Sequence, residues 1–252
     1  HPMYRRQRQM CIRDRLNAAA EKLQAAGVIP FAHGGQAWQD ATVFEAVAMG
    51  IGGNNYYKNC YVDLKETCLR SETTVKVFDQ MRKLQGFTDE GSPGRDWNVA
   101  TGMVIEGKAG FQIMGDWAKG EFTAAGKVPG VDYYCAPTPS NNGYLYNVDS
   151  FIFYKTSDPD KQEGQKLLAK LMMGKNFQKV FNLYKGSIPA RLDVSMDEFD
   201  KCAKTSNSDI KTAGASGGLV PSFAHGMAQG NTMKAALQDL SLIHISEPTR
   251  RI

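Results

Sequence analysis

Trp117 is the side chain whose type and position point most directly to ligand binding. It follows residues 107–116, GKAGFQIMGD, in which Phe111 and Ile113 alternate as on a strand until Asp116 breaks the pattern. Crevices in open α/β folds form at such strand ends. An indole there offers a flat apolar surface to the C–H face of a sugar, and charged or amide side chains bind the hydroxyls. The alternative is that Trp117 belongs to the core.

Asn147 and Asp149 form a second candidate group. They lie two residues apart in YLYNVDSFIFY at 144–154, a stretch of strong β propensity. On a strand, residues two apart share one face. An amide beside a carboxylate can both donate and accept hydrogen bonds, as sugar hydroxyls require. The alternative is an exposed strand face or a turn.

Predicted helices and strands surround these residues, with Asp116 as the expected N-cap of the helix that follows it. Helical spacing and capping residues predict helices at 16–26, 41–49, 71–84, 96–105, 158–173, 177–184, 199–204 and 229–239. Strands are predicted at 28–31, 133–136 and 144–154, and loops at 33–40, 51–61 and 206–218. Gln36 and Trp38 lie in the first of these loops.

The two ends of the chain share one DNA origin. MCIRDR at 10–15 can be encoded by ATG-TGT-ATA-AGA-GAC-AG, and the reverse complement of most of that sequence encodes LSLIH at 240–244. The element resembles the transposase adapter used to prepare sequencing libraries. We therefore expect residues 1–15 and 240–252 to be adapter-derived artefacts flanking a natural segment at 16–239. A genuine basic arm is the alternative, but it would not explain the tail.

Excluding these ends changes what the charge implies. The ends hold seven of the 30 basic and two of the 26 acidic residues, which leaves 23 and 24 and a net charge of −1. No basic face is then expected, so nucleic acid is not a predicted partner. The 42% hydrophobic content allows a sizeable core. No apolar run of about 18 residues predicts a membrane span, and no signal peptide is visible.

Four cysteines remain outside the terminal segments, and an even number suits disulfides in an oxidising compartment. The grouping that we favour pairs Cys60 with Cys68 and Cys135 with Cys202. Free buried thiols are the alternative. The spacing contains no CxxC and the remaining histidines are isolated, so no metal site is predicted.

Six motifs follow one another along the chain: AHGGQAWQD at 32–40, GRDWN at 94–98, GKAGFQIMGDWAKGE at 107–121, YNVDSF at 146–151, NLYKGSIPAR at 182–191 and SFAHGMA at 222–228. Their types and order resemble the bacterial periplasmic glucose/mannose-type sugar-binding proteins of ABC importers. The similarity covers essentially all of 16–239. The motif at 107–121 and YKGSIPAR are specific, whereas an isolated Trp or His is not.

The resemblance implies an α/β fold that is periplasmic-binding-protein-like (type II), with two lobes joined by hinge strands that close on a sugar. Members of this family are longer at both ends. We therefore expect 16–239 to be a sugar-binding protein fragment, mainly the C-terminal lobe. It would lack the signal peptide, most of the first lobe and the final helices. The implied localisation is periplasmic.

The resemblance also carries eight sugar contacts onto this chain. The two stacking platforms are Trp97 and Trp117. The four polar partners of sugar hydroxyls are Asn147, Asp149, Lys185 and His225. The two residues that line the cleft are Gln36 and Trp38. Cys135 and Cys202 lie where some relatives carry a cysteine pair. Cys60 and Cys68 have no place in the family pattern.

The implied function is to bind a monosaccharide, glucose or similar, in an interlobe cleft and to deliver it to the membrane permease of an ABC importer. We expect a monomer with no cofactor. An affinity around micromolar, roughly −8 kcal/mol, would suit a protein that must also release its ligand. Closure on the ligand uses contacts from both lobes, so we expect weak or undetectable binding by 16–239 alone.

Three other functions remain open. A glycoside-processing enzyme needs two opposed carboxylates at a cleft, and Asp116 and Asp149 are the only attractive pair. A ligand-sensing module of a chemoreceptor would use the same sugar-binding chemistry, and only genomic neighbours distinguish it. The third is an interaction domain with Trp97 and Trp117 in its core.

Overall fold

The computed structural model describes residues 2–138 and 143–228, with the backbone alone for residues 2–12. The helices are α1 Pro2–Ala25, α2 Ala37–Tyr57, α3 Glu66–Leu69, α4 Glu72–Gln85, α5 Trp97–Ile105, α6 Ala118–Ala124, α7 Pro159–Met172, α8 Lys175–Lys185 and α9 Lys201–Ala215, with a π-helical turn at Lys58–Val62. The strands are β1 Ile29–Phe31, β2 Ala109–Phe111, β3 Tyr144–Tyr146 and β4 Leu219–Pro221. The helix predicted at 229–239 and the segment 240–252 lie outside the described residues.

The chain folds into two compact units, each built from separate segments. Unit 1 comprises His1–Gly115, Ala136–Asn147 and Asp209–Ile252, and unit 2 comprises Asp116–Cys135 and Val148–Ser208. Unit 1 therefore contains α1 to α5 and the strands β1 to β4, while unit 2 contains α6 to α8. Helix α9 begins in unit 2 and ends in unit 1.

The strands of unit 1 form two short parallel pairs. In the first, β1 pairs with β2 and places Phe31 opposite Phe111. In the second, β3 pairs with β4 and places Leu145 opposite Val220. Parallel strands need a long crossover connection, which α2 to α5 provide between β1 and β2.

Aromatic rings form the centre of unit 1. Phe44, Tyr57, Tyr61 and Phe223 are each at most 1% exposed, and the ring pairs among them that make contact have centroids 5.5 to 6.2 Å apart. This spacing is that of favourable edge-to-face and offset pairs. Because Phe223 follows β4, the core ties α2 to the segment that ends the described chain.

Two predicted loops are helical. Helix α2 continues to Tyr57 because that side chain is fully buried, although Gly53, at φ 75°, interrupts its helical backbone. Helix α9 continues to residue 215, and its residues Ala203 and Ala213 are buried. In both stretches tertiary packing overrides the local preference for a loop.

Two predicted strands are wrong or too long. Tyr133 makes only an isolated bridge to Pro129, so 133–136 is not a strand. Of the range 144–154, only β3 pairs with another strand. The β propensity of the remainder is real, but in the described chain no neighbouring strand pairs with it.

The predicted helix caps are partly correct. Asp158 caps α7 by accepting hydrogen bonds from the N–H groups of Asp160 and Lys161. Asp116 is not the N-cap of α6, which begins at Ala118 after Trp117. A carboxylate stabilises a helix start only when it can reach the first free N–H groups. The Asp116 carboxylate receives hydrogen bonds from Ser187 and from the backbone of Trp117, which is itself the N-cap.

Both favoured disulfides are present, one in each unit. Cys60 pairs with Cys68 in unit 1, with Cα atoms 5.2 Å apart, and Cys135 pairs with Cys202 in unit 2, with Cα atoms 5.7 Å apart. These separations are typical of disulfides. The alternative of four free thiols is therefore wrong.

Unit 2 has a small core. Val194, Phe199 and Ala203 are buried, and Ile188 packs against them at their edge. An apolar hollow of about 580 Å³ lies between α7 and α8, and none of the eight predicted sugar contacts lines it. Across the described residues of both units, we find no helix with the length and apolar character needed to cross a bilayer.

Candidate functional site

The predicted sugar contacts are divided between the two units. Unit 1 contains five of them: Gln36, Trp38, Trp97, Asn147 and His225. Unit 2 contains the other three: Trp117, Asp149 and Lys185. Each group has its own geometry.

Gln36 is the centre of the group in unit 1. It is the N-cap of α2, and its Oε1 accepts hydrogen bonds from Trp38 Nε1 at 2.8 Å and from Gln39 Nε2 at 3.1 Å. Its Nε2 donates to Asp96 Oδ1, and Asp96 is the N-cap of α5 immediately before Trp97. One amide therefore ties together the beginnings of the two helices that carry half-buried indoles. Sequence reasoning missed Asp96 as part of this site, although its position beside a candidate platform was a signal.

His225 lies against Trp38. The two ring centroids are 5.7 Å apart with a 59° tilt, and His225 Nε2 is 3.2 Å from Thr42 Oγ1. The Thr42 hydroxyl donates its single hydrogen to the Trp38 carbonyl oxygen at 2.8 Å. Because that hydrogen is already used, Thr42 Oγ1 acts as the acceptor of the bond from His225 Nε2. An indole, an imidazole and an amide thus occur together in unit 1.

Trp97 is anchored through its backbone. Its carbonyl oxygen accepts from Thr101 Oγ1 at 2.9 Å and from Gln112 Nε2 at 3.1 Å. Thr101 is fully buried, and its Oγ1 also lies 2.9 Å from Gln112 Oε1. These bonds fix the first turn of α5, so the indole projects from a rigid helix start.

Asn147 and Asp149 do not share a strand face. Strand β3 ends at Tyr146, and the chain passes from unit 1 to unit 2 between Asn147 and Val148. Asn147 is half-buried and Asp149 is exposed. The argument from strand alternation is therefore wrong, because the alternation of side chains holds only while the extended backbone continues.

Lys185 and Asp149 are paired in unit 2. Lys185 ends α8, and its ammonium contacts the Asp149 carboxylate and lies 5.7 Å from the centre of the Phe181 ring. Burial lowers the pKa of Lys185, while the negative charge of Asp116 acts in the opposite direction. The sequence offered no signal for Phe181, because its apolar helix face resembles any core face.

The start of α6 packs against the loop that follows α8. Gly186 has φ 87°, and a Cβ atom there would lie 2.7 Å from Gly120 N and 3.0 Å from Asp116 O. Only glycine fits this close approach at this backbone angle. Burial raises the pKa of Asp116, although Lys119, Ser187 and Lys185 all act to lower it. Trp117 is half-buried directly after this carboxyl.

The residue types in each unit are those with which proteins recognise polar ligands. Both groups combine an indole with hydrogen-bonding side chains, the pattern by which proteins bind ligands that have apolar faces and polar rims. Within residues 2–138 and 143–228, no group of three or more His, Cys, Asp or Glu side chains could hold a metal ion.

The profile of the bacterial extracellular solute-binding protein family matches residues 13–172, more than half of the 252 residues. The chain belongs to this family. A protein of Brucella suis biovar 1, named as a probable sugar-binding periplasmic protein, is 46% identical to this solute-binding protein over 228 residues. One of the same name in Rhizobium meliloti is 44% identical over 228 residues. Each match covers 90% of this chain and 54% or 55% of the relative. The chain therefore spans about half the length of these curated relatives.

A solved structure shows the fold of this solute-binding protein. The bacterial solute receptor AcbH, described as having an exclusive preference for β-D-galactopyranose, matches with a TM-score of 0.59 at 17% identity. The match covers 94% of this chain and 60% of that receptor. The predicted α/β, periplasmic-binding-protein-like fold is confirmed. The matched proteins are solute receptors, not enzymes, so the Asp116–Asp149 pair is not assigned to glycoside hydrolysis.

Proposed function

We propose that this chain is part of a periplasmic receptor that binds a monosaccharide, glucose or a similar hexose, and delivers it to the permease of an ABC importer. Membership of the family and the names of its relatives support the sugar and the transport system. The observation that carries the proposal is the unit 1 group, in which Gln36 and His225 surround the indole of Trp38.

The proposed contacts follow from the chemistry of each side chain. Trp97 and Trp117 stack on sugar faces, and Gln36 and Trp38 line the interlobe cleft that the family resemblance predicts. Asn147, Asp149, Lys185 and His225 bind hydroxyls. Asp149 accepts through a charged carboxylate, and bonds to charged acceptors are about twice as strong as neutral ones. Epimer preference would come from the geometry of these polar groups.

We further propose that residues 16–239 are mainly the C-terminal lobe of a longer, monomeric receptor, and that 1–15 and 240–252 derive from an adapter. Hinge closure then needs contacts from both lobes. A chemoreceptor module would use the same site. Permease genes beside the gene of this protein would support a role in sugar import. A gene for a signalling receptor in the same position would support a role in chemoreception.

Calorimetry of the complete receptor with glucose, mannose and galactose tests the function. We expect micromolar binding of at least one hexose, and Asp149→Asn should weaken it about tenfold to a hundredfold because a charge-assisted hydrogen bond is lost. Asp193→Asn is the matched control, since Asp193 is an exposed, paired carboxylate of the same unit. No heat with any hexose, or equal losses in both variants, would contradict the proposal.

Calorimetry of residues 16–239 alone tests the fragment proposal separately. We expect weak or undetectable binding, because contacts from the other lobe are absent. Micromolar binding by this segment would overturn the proposal that it is a fragment and would leave sugar recognition standing.

A further inference from the structure

Glu45 is a carboxylate inside the aromatic core of unit 1 that the proposed sugar contacts do not use. It is 3% exposed and lies on α2 seven residues after Trp38. A buried carboxylate costs free energy unless hydrogen bonds compensate it. Its partners therefore indicate what it does.

Those partners belong to one short turn and to a neighbouring tyrosine. Glu45 Oε1 accepts from Ser222 Oγ at 2.7 Å. Oε2 accepts from the N–H of Ala224 at 3.3 Å and from the hydroxyl of Tyr57 at 3.0 Å. Both oxygens are thus acceptors, the arrangement that a carboxylate provides and that an amide cannot reproduce.

Tyr57 supports the same turn from the same helix. Its hydroxyl lies 3.1 Å from the Pro221 carbonyl oxygen and accepts from the N–H of Phe223 at 3.2 Å. Tyr57 and Phe223 are fully buried, and their rings stack at 6.1 Å. Two side chains of α2 therefore form hydrogen bonds with Ser222, Phe223 and Ala224 of this turn.

The turn leads directly to His225. Ser222 Oγ, which donates to Glu45, also accepts from the N–H of His225 at 3.2 Å. Trp38, Thr42 and Glu45 are spaced four and then three residues apart, so they share one face of α2. Two of them contact the His225 ring, and the third reaches its backbone through Ser222.

We propose that Glu45 is a positioning residue that holds the turn at 221–225 from inside the core and so keeps the His225 ring against Trp38. The positioning is a property of the unliganded chain. Its consequence for sugar binding rests on the proposed function, in which His225 contacts the ligand. Burial raises the pKa of Glu45 to about 7, and the hydrogen bonds from Ser222 and Tyr57 act to lower it. The hydrogen bonds from the turn therefore favour the charged form of Glu45, in which both carboxylate oxygens can accept hydrogen bonds.

Amide hydrogen exchange on the 252-residue chain tests the positioning. In Glu45→Ala we expect the Ala224 and His225 amides to lose about tenfold or more of their protection, the loss expected for one hydrogen bond. Trp38 Nε1–H should shift in the NMR spectrum. In Glu45→Gln the Ala224 amide should lose protection, while the His225 amide keeps it, because the amide oxygen still accepts from Ser222.

Val43→Ala is the matched control, because Val43 is buried on the same helix but packs in a different cluster. It should lower protection generally without singling out the turn. If Glu45→Ala unfolds the chain, Ser222→Ala replaces it and should expose the His225 amide alone. The proposal would be overturned if the Glu45 and Val43 variants both lost amide protection equally at the turn and elsewhere in the chain. It would also be overturned if Ser222→Ala left the protection of the turn unchanged.

The sugar affinity of the complete receptor separates this inference from the proposed function. We expect Ser222→Ala to weaken hexose binding about tenfold, by the same single-bond argument. Loss of protection at the turn with unchanged affinity would keep the positioning role and would refute His225 as a sugar contact.

Discussion

Unit 1 and unit 2 hold their candidate sugar contacts by different physical means. In unit 1, Trp38 and His225 are fixed by neutral hydrogen bonds and ring contacts beside a buried aromatic core. In unit 2, Asp149 and Lys185 form an ion pair whose side chains are 58% and 28% exposed. Exposed charges are screened by salt, whereas part-buried hydrogen bonds between neutral groups depend on salt much less. The unit 1 group should therefore keep its geometry across ionic strengths at which the unit 2 group becomes loose.

The two units also differ in how much apolar surface they bury. Phe44 and Phe223 of unit 1 are at most 1% exposed, whereas Ile152 and Tyr154 of unit 2 are 79% and 82% exposed. Apolar burial is the main source of folding stability, so unit 2 has less of it to draw on. Its disulfide and its backbone geometry should matter more as a result.

The largest expected effect concerns the disulfides. Cys135–Cys202 joins residues 67 apart and Cys60–Cys68 joins residues 8 apart. Loop-closure entropy gives losses of about 4 and about 2.5 kcal/mol when each pair is replaced by serines. Urea denaturation of the two double-serine variants measures both values. A greater loss for the shorter loop would contradict the idea that unit 2 depends more on its cross-link.

The second effect is a pH dependence of unit 1. Burial raises the pKa of Glu45 from 4.5 to about 7, so between these values the folded state binds a proton that the unfolded state does not. Stability should therefore fall as pH rises from about 4.5 to about 7 and then level off, by about 3 kcal/mol in all.

Denaturation of the wild type and Glu45→Gln at pH 5 and pH 8 isolates this contribution, because other titrating groups are common to both proteins. We expect the free energy of unfolding of Glu45→Gln to lack the fall with rising pH that Glu45 causes in the wild type. An equal difference between the two proteins at both pH values would show that Glu45 does not titrate in this range.

The third effect concerns Gly186 in unit 2. Gly186→Ala should cost about 2 kcal/mol, because the residue has a left-handed backbone angle and its Cβ would meet backbone of the α6 start. Gly164→Ala in α7 is the control, since nothing lies within 4 Å of its added Cβ. That change should stabilise the protein by about 0.5 to 1 kcal/mol. Thermal denaturation of both variants measures these changes in stability. Losses of stability of similar size in the two variants would argue against the close approach at Gly186.

The smallest expected effect is that of the exposed ion pair. Asp149→Asn should change the free energy of unfolding by less than about 1 kcal/mol, as is usual for exposed pairs. Urea denaturation at low and high salt measures it. A loss above about 2 kcal/mol would mean that Asp149 serves the fold of unit 2, and its proposed role in sugar binding would then need other support.

Local chemistry was predictable where it depends on near neighbours. Asp158 caps α7 as expected, because the capping bonds reach only two and three residues along the chain. The predicted Cys60–Cys68 pair, which joins residues 8 apart, was also correct. Asp116 was predicted as a cap by the same reasoning and is not one, since Ser187, 71 positions away in the chain, takes part in its hydrogen bonding.

The sequence by itself determined the family and the residue types that could contact a sugar, because motifs and their order are visible along one chain. Only the tertiary structure decided that Asn147 and Asp149 fall in different units, and that Glu45 reaches the turn that carries His225. Glu45 and Ser222 are 177 residues apart, and no periodicity links positions so distant. Their contact exists because packing of the aromatic core brings α2 against β4 and leaves a buried carboxylate in need of donors.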